Sequence, residues 1–125
     1  MNRFLTAIPL LALSATLAVA AGHGAHGVKT SADGYFTDGH NMTLYTFDKD
    51  GDGVSNCYDK CATAWPPLLA EEGEELPQGF ATIMRKDGGA QIAYKGQPLY
   101  LWIKDKKPGQ TTGDGVKGVW HIAKP

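Results

Sequence analysis

The stretch MTLYTFDKD, residues 42–50, returns as QPLYLWIKD at residues 97–105. Leu44 matches Leu99, Tyr45 matches Tyr100, Phe47 matches Trp102, and Asp50 matches Asp105, each pair 55 positions apart. Trp65 and Trp120 keep the same spacing. Five matches at one offset, most of them aromatic, mark an internal repeat. Two copies are too few for a solenoid, so they imply two like units sharing one core.

Each copy alternates as a strand does. Leu44, Thr46 and Asp48 point one way, and Tyr45 and Phe47 the other; Tyr100 and Trp102 share a face in the second copy. Turn signals bracket both copies: Asp38-Gly39 and Gly51-Asp52-Gly53 around the first, Lys95-Gly96 and Pro108-Gly109 around the second. Further strands are expected over Gly34–Thr37, Ala81–Arg85, Gln91–Tyr94 and Gly118–Ile122. Asp87-Gly88-Gly89 reads as a hairpin turn. A short helix is expected over Tyr58–Ala64, with Asn56 as its cap and Pro66-Pro67 as its stop. The acidic run Glu71-Glu72-Gly73-Glu74-Glu75 forms a solvated loop between the halves. The expected fold is therefore mainly β: a small single domain of two sequence-related β-rich halves, with one short helix near the Cys pair. Its bounds are 28–125, with repeat halves at about 34–68 and 90–125.

Ahead of this domain stands a secretory pattern. Arg3 precedes an apolar run from Phe4 to Val19, and Ala18-Val19-Ala20 fits the small-residue cleavage site. Residues 1–20 are read as a signal peptide and 21–27 as a flexible tail without large apolar residues. The run is short for a membrane span and no basic stop-transfer cluster follows it. With no Cys near the cleavage site, no lipid attachment is expected. The mature protein is expected in the periplasm or outside the cell, as a monomer with no membrane span. A formal net charge of −1 argues against a nucleic-acid partner. Sixteen Gly and seven Pro suit short strands joined by turns. Cys57 and Cys61 are the only cysteines, and in an oxidising compartment a lone pair forms a disulfide.

The run Leu44 to Asp50, then Ser55-Asn56-Cys57, Cys61-Ala62 and Trp65-Pro66-Pro67-Leu68, resembles the secreted-repeat family of predicted bacterial lipoproteins with a Yx(F/W/Y)xxD motif. The second copy carries the same resemblance in Tyr94-Lys95-Gly96-Gln97-Pro98-Leu99-Tyr100, Gly113-Asp114-Gly115 and Gly118-Val119-Trp120-His121. It covers nearly all of the mature chain. What it implies is organisation, since that family is described as of unknown function. The chain departs from the lipoprotein label by lacking a lipidation Cys.

Four features could carry chemistry. The repeat-motif residues Tyr45, Phe47, Asp50, Tyr100, Trp102 and Asp105 come first. Their aromatics could stack on a sugar or a quinone; the plainer reading makes them, with Trp65 and Trp120, the core of a small β domain. Asp50 and Asp105 precede turns, where an Asp accepts backbone N–H bonds. Second, Cys57 and Cys61 lie one helical turn apart. A structural disulfide is expected, with redox exchange or copper binding alongside His40 or His121 as alternatives. Third, Asp48, Asp50 and Asp52 precede Gly53 in the D-x-D-x-D-G pattern of a calcium loop, with Asp59 at loop position 12. The flanking helices of such a loop are missing. Fourth, cleavage after Ala20 would start the protein Ala21-Gly22-His23, whose amine, amides and imidazole suit square-planar Cu(II) or Ni(II), with His26 adding a further imidazole.

No G-x-S-x-G, H-E-x-x-H, glycine-rich phosphate loop or C-x-x-C-H is present. No catalytic residue is assigned. The leading expectation is an exported periplasmic, non-enzymatic binding or structural module. The alternative is a metal-binding (copper or calcium) or redox accessory protein of the cell envelope. An enzyme acting on envelope carbohydrate ranks third.

Overall fold

The computed structural model describes residues 27–125. The signal over residues 1–20, and the tail with His23 and His26, lie outside the described residues.

Three small antiparallel sheets build the domain. β1 (Val28–Thr30) pairs with β2 (Phe36–Asp38), and β3 (Tyr45–Phe47) pairs with β7 (Trp120–Ile122). β4 (Phe80–Met84), β5 (Ala90–Tyr94) and β6 (Gln97–Pro98) form the third sheet in that order. Helix α1 covers Lys60–Ala64, and a 3-10 turn covers Val116–Gly118. The fold is mainly strand, in two repeat halves, with the disulfide beside the one short helix.

Several elements begin later than the sequence suggests, for reasons of backbone geometry. Gly34 takes φ +90 and closes a turn onto Ser31, so β2 starts at Phe36 and not at Gly34. Gly118 takes φ +72, so β7 starts at Trp120. α1 starts at Lys60 because Asp59 sits at φ 55, outside helical geometry. Asn56 does not cap it: its side-chain amide donates to the Lys49 carbonyl at 2.8 Å. Lys95 and Gly96 both take positive φ, 48 and 87, as a two-residue hairpin turn between β5 and β6 requires.

The halves interlock about a local two-fold axis. On that axis Tyr45 and Tyr100 exchange backbone bonds, N–H to O at 2.8 and 3.0 Å. Each half then lays its closing segment on the other. Ile122 pairs with Tyr45, and Pro67 bridges to Tyr100. The Ala123 N–H donates to the Leu44 carbonyl at 2.8 Å, as Leu68 does to Leu99 at 3.0 Å.

This crossing explains how the strand alternation is used. Both faces are buried, each against its own core. One face carries Leu44 and Leu99 into an aliphatic cluster with Phe36, Leu68, Ile92 and Ala123. The other carries Tyr45 and Tyr100 into an aromatic cluster with Cys57, Trp65 and Trp120. Gly113 lets the aromatic core close, since a Cβ there would lie 2.8 Å from Trp65 and 2.9 Å from Tyr45.

Cys57 and Cys61 form a disulfide with a Cα–Cα distance of 5.2 Å, and no free cysteine remains. The closed loop is short, so it restricts the unfolded chain only modestly. Replacing both cysteines by alanine is expected to cost about 2 kcal/mol. Urea unfolding of the double variant measures this, and an unchanged midpoint would contradict it.

Candidate functional site

Around the two-fold axis the aromatic residues form one continuous stack. Trp65 and Trp120 lie face to face at its centre, 3.7 Å between ring centroids and 3° between planes. Trp102 covers the outer face of Trp65 at 3.9 Å, and Phe47 covers that of Trp120 at 4.1 Å. Tyr45 and Tyr100 close the inner side edge-on, at 5.4 Å from Trp65 and 5.2 Å from Trp120. The central rings are buried, while Phe47 and Trp102 at the ends are half-buried.

On its outer side the stack lines an open groove of about 410 Å³. Phe47, Trp65, Trp102 and Trp120 all contribute to its wall. Lys49, Lys60 and Lys117 line it as well, all exposed, and among the described residues no Asp or Glu does. Cys61 of the disulfide also lines it.

Beneath the stack, each repeat uses its tyrosine to reach the aspartate of the other. The Tyr45 hydroxyl donates to Asp105 Oδ2 at 2.7 Å, and the Tyr100 hydroxyl to Asp50 Oδ2 at 2.7 Å. The remaining oxygens hold turns, as the sequence suggests: Asp50 Oδ1 accepts the Asn56 N–H at 2.7 Å, and Asp105 Oδ1 the Thr112 N–H at 2.9 Å. Burial pushes both phenols above their ordinary range, and the adjoining carboxylates add to it, so both stay protonated donors. Burial also raises Asp50, against the hydrogen bonds from Asn56 and Tyr100.

Arg85 extends this polar layer and has no counterpart in the sequence reading. Its side chain is 1% exposed. Nη1 donates to Ser55 Oγ at 3.0 Å and to Gln91 Oε1 at 2.8 Å, and Nη2 donates to the Cys57 carbonyl at 2.9 Å. Nε and Nη2 reach Asp87, each at 3.2 Å. All five donors are thereby used. Arg85 also holds the Asp87 carboxylate below its ordinary range. Ser55 lies 2.6 Å from the Tyr100 hydroxyl, completing a chain from Arg85 to Asp50. Nothing local flags Arg85 in the sequence; only the fold brings residues 55, 57, 85 and 91 together.

The candidate metal ligands do not converge. Asp48 turns outward to His121, 2.8 Å away, and Asp50 turns inward to Tyr100, while Asp52 packs against Gly96. His40 is exposed and engages Asp38 through its backbone. Among the described residues no three His, Cys, Asp or Glu side chains come together to hold a metal ion. Asp48, Asp50 and Asp52 follow β3 in a run of turns, and each is engaged separately, by His121, by Tyr100 and against Gly96. The disulfide likewise takes both thiols from the copper arrangement.

Two interlocked halves around a shared aromatic centre define a tandem-repeat β domain. The chain belongs to the secreted-repeat family: the model Lipoprotein_15, described as a secreted repeat of unknown function, matches residues 27–69 and again 81–124. No curated protein and no solved structure matches it. The protein is secreted, and among the described residues no helix is long and apolar enough to cross a membrane.

Proposed function

We propose that this secreted domain is a non-enzymatic binding module whose ligand lies in the aromatic groove, and that residues 1–20 direct its export. The observation that carries the reading is the division of labour around the stack. The polar groups behind it are committed to structural bonds: Tyr45 and Tyr100 to the aspartates, Arg85 to five acceptor contacts. The groove in front is open, and its volume lies within the range of ligand clefts, about 300–1,000 Å³. It also straddles the two-fold axis, since each repeat supplies one central and one end ring.

All three tryptophans of the chain line this groove, so their indole N–H resonances report on it directly. Sugar and small-molecule fractions of culture medium, added to isotopically labelled protein, are expected to shift these three signals together. The shift should be lost in Trp102→Ala. Fractions that leave all three signals in place would defeat the binding reading.

A further inference from the structure

Resting on the groove as the ligand site, we infer that its ligand is an acidic sugar, a glycan carrying carboxylates such as a uronate chain. Three observations point to this chemistry. First, Lys49, Lys60 and Lys117 line the groove with no carboxylate in its wall among the described residues, and none of the three forms an ion pair there. Of the acidic neighbours in sequence, Asp48 is taken by His121 and Asp50 by Tyr100, while Asp59 beside Lys60 is exposed. Three ammonium groups gathered on a chain of net charge −1 make a local field that selects anions.

Second, the stack presents two kinds of aromatic surface. Its central rings are covered on both faces by their neighbours, so only their edges are left, and ring edges carry the positive end of the aromatic quadrupole. Edges favour oxygen atoms. Phe47 has one face unstacked, and the Trp102 ring away from Trp65 has only the Lys104 ammonium over it, at 5.8 Å. A π face favours the C–H side of a sugar ring, and that ammonium adds to the positive charge. A pyranose with a carboxylate offers both surfaces, plus the charge the lysines want. A neutral quinone offers no charge.

Third, Trp65 and Trp120 are only 4% and 3% exposed, yet among the described residues neither indole N–H has a protein acceptor. Buried donors of this kind are almost always paired. Both rings reach the groove wall, where an oxygen-rich ligand supplies acceptors.

The test is a titration of the full secreted chain, followed by tryptophan emission. Oligogalacturonate is compared with a neutral oligosaccharide of equal length. The acidic sugar is expected to change the emission saturably, with an affinity that falls as salt is raised. In the triple variant Lys49→Gln/Lys60→Gln/Lys117→Gln, whose side chains are exposed and outside the core, binding should weaken by about tenfold, as the loss of three exposed ion pairs implies. Equal binding of the neutral sugar, or a triple variant that binds oligogalacturonate as well as the parent, would overturn the acidic-sugar inference and leave the groove as a binding site. No response to either sugar, while medium fractions still shift the indole resonances, would overturn the inference alone. No response to sugars or to medium would overturn both.

Discussion

Truncating Trp120 to alanine is expected to cost about 3–5 kcal/mol of folding stability, and truncating Trp65 about the same. Each ring is a central member of the stack, with a neighbour on both faces and a tyrosine edge against it. Removing either opens a cavity that its neighbours cannot fill, because the backbone bonds across the two-fold axis hold them apart. A cost of this size is a large part of the 5–15 kcal/mol that folds a typical domain. Trp102→Ala should cost less, since that ring is half-buried at the end of the stack. Urea denaturation of the three variants gives the ranking. A Trp65 variant much more stable than the Trp120 variant would show that the halves do not share the core equally.

Arg85→Met is expected to destabilise the domain by about 3–5 kcal/mol, while Asp87→Asn should leave stability nearly unchanged. The two residues form one ion pair, 3.2 Å long, but their surroundings differ. Asp87 is 53% exposed and regains water when its partner goes. The acceptors on the other side do not. Losing the guanidinium strands Gln91 Oε1 and the Cys57 carbonyl, and Ser55 Oγ loses one of its donors. The loss should persist at high salt, because buried hydrogen bonds are screened far less than exposed charges. Thermal unfolding at low and high ionic strength separates the cases. Equal losses in both variants would make the surface ion pair the important contact.

Much of the aromatic centre is legible in the sequence because one spacing governs it. Tyr, aromatic and Trp positions recur at a fixed offset, and large rings in a small β domain have few places to go but inward. The partnership of Tyr45 with Asp105 is not legible. Within each copy the tyrosine and aspartate are five residues apart, and nothing in that spacing says the hydrogen bond crosses to the other copy. Leu44 and Leu99 mislead in a related way. Alternation suggests one buried face and one wet face, whereas the crossing of the halves covers both. Spacing alone does not give the partners of Asp48, Asp50 and Asp52 either, since the three are engaged by His121, by Tyr100 and against Gly96. Arg85 is hidden for a simpler reason. Its acceptors come from three separate segments, and only the folded chain brings them together.

The exchange of closing segments bears on ancestry. The main bonds across the axis come in matched pairs: Tyr45 with Tyr100, Ala123 to Leu44 as Leu68 to Leu99, and each tyrosine hydroxyl to the other copy's aspartate. A chain of one repeat would therefore carry both members of each Tyr–Asp pair, and a second identical chain could complete them through a self-complementary contact that closes as a dimer. Duplication and fusion of such a gene would turn a concentration-dependent assembly into a single chain. The two copies differ at the disulfide: one carries the cysteine bridge, and the other holds Val116 and a 3-10 turn in the position matching Cys61.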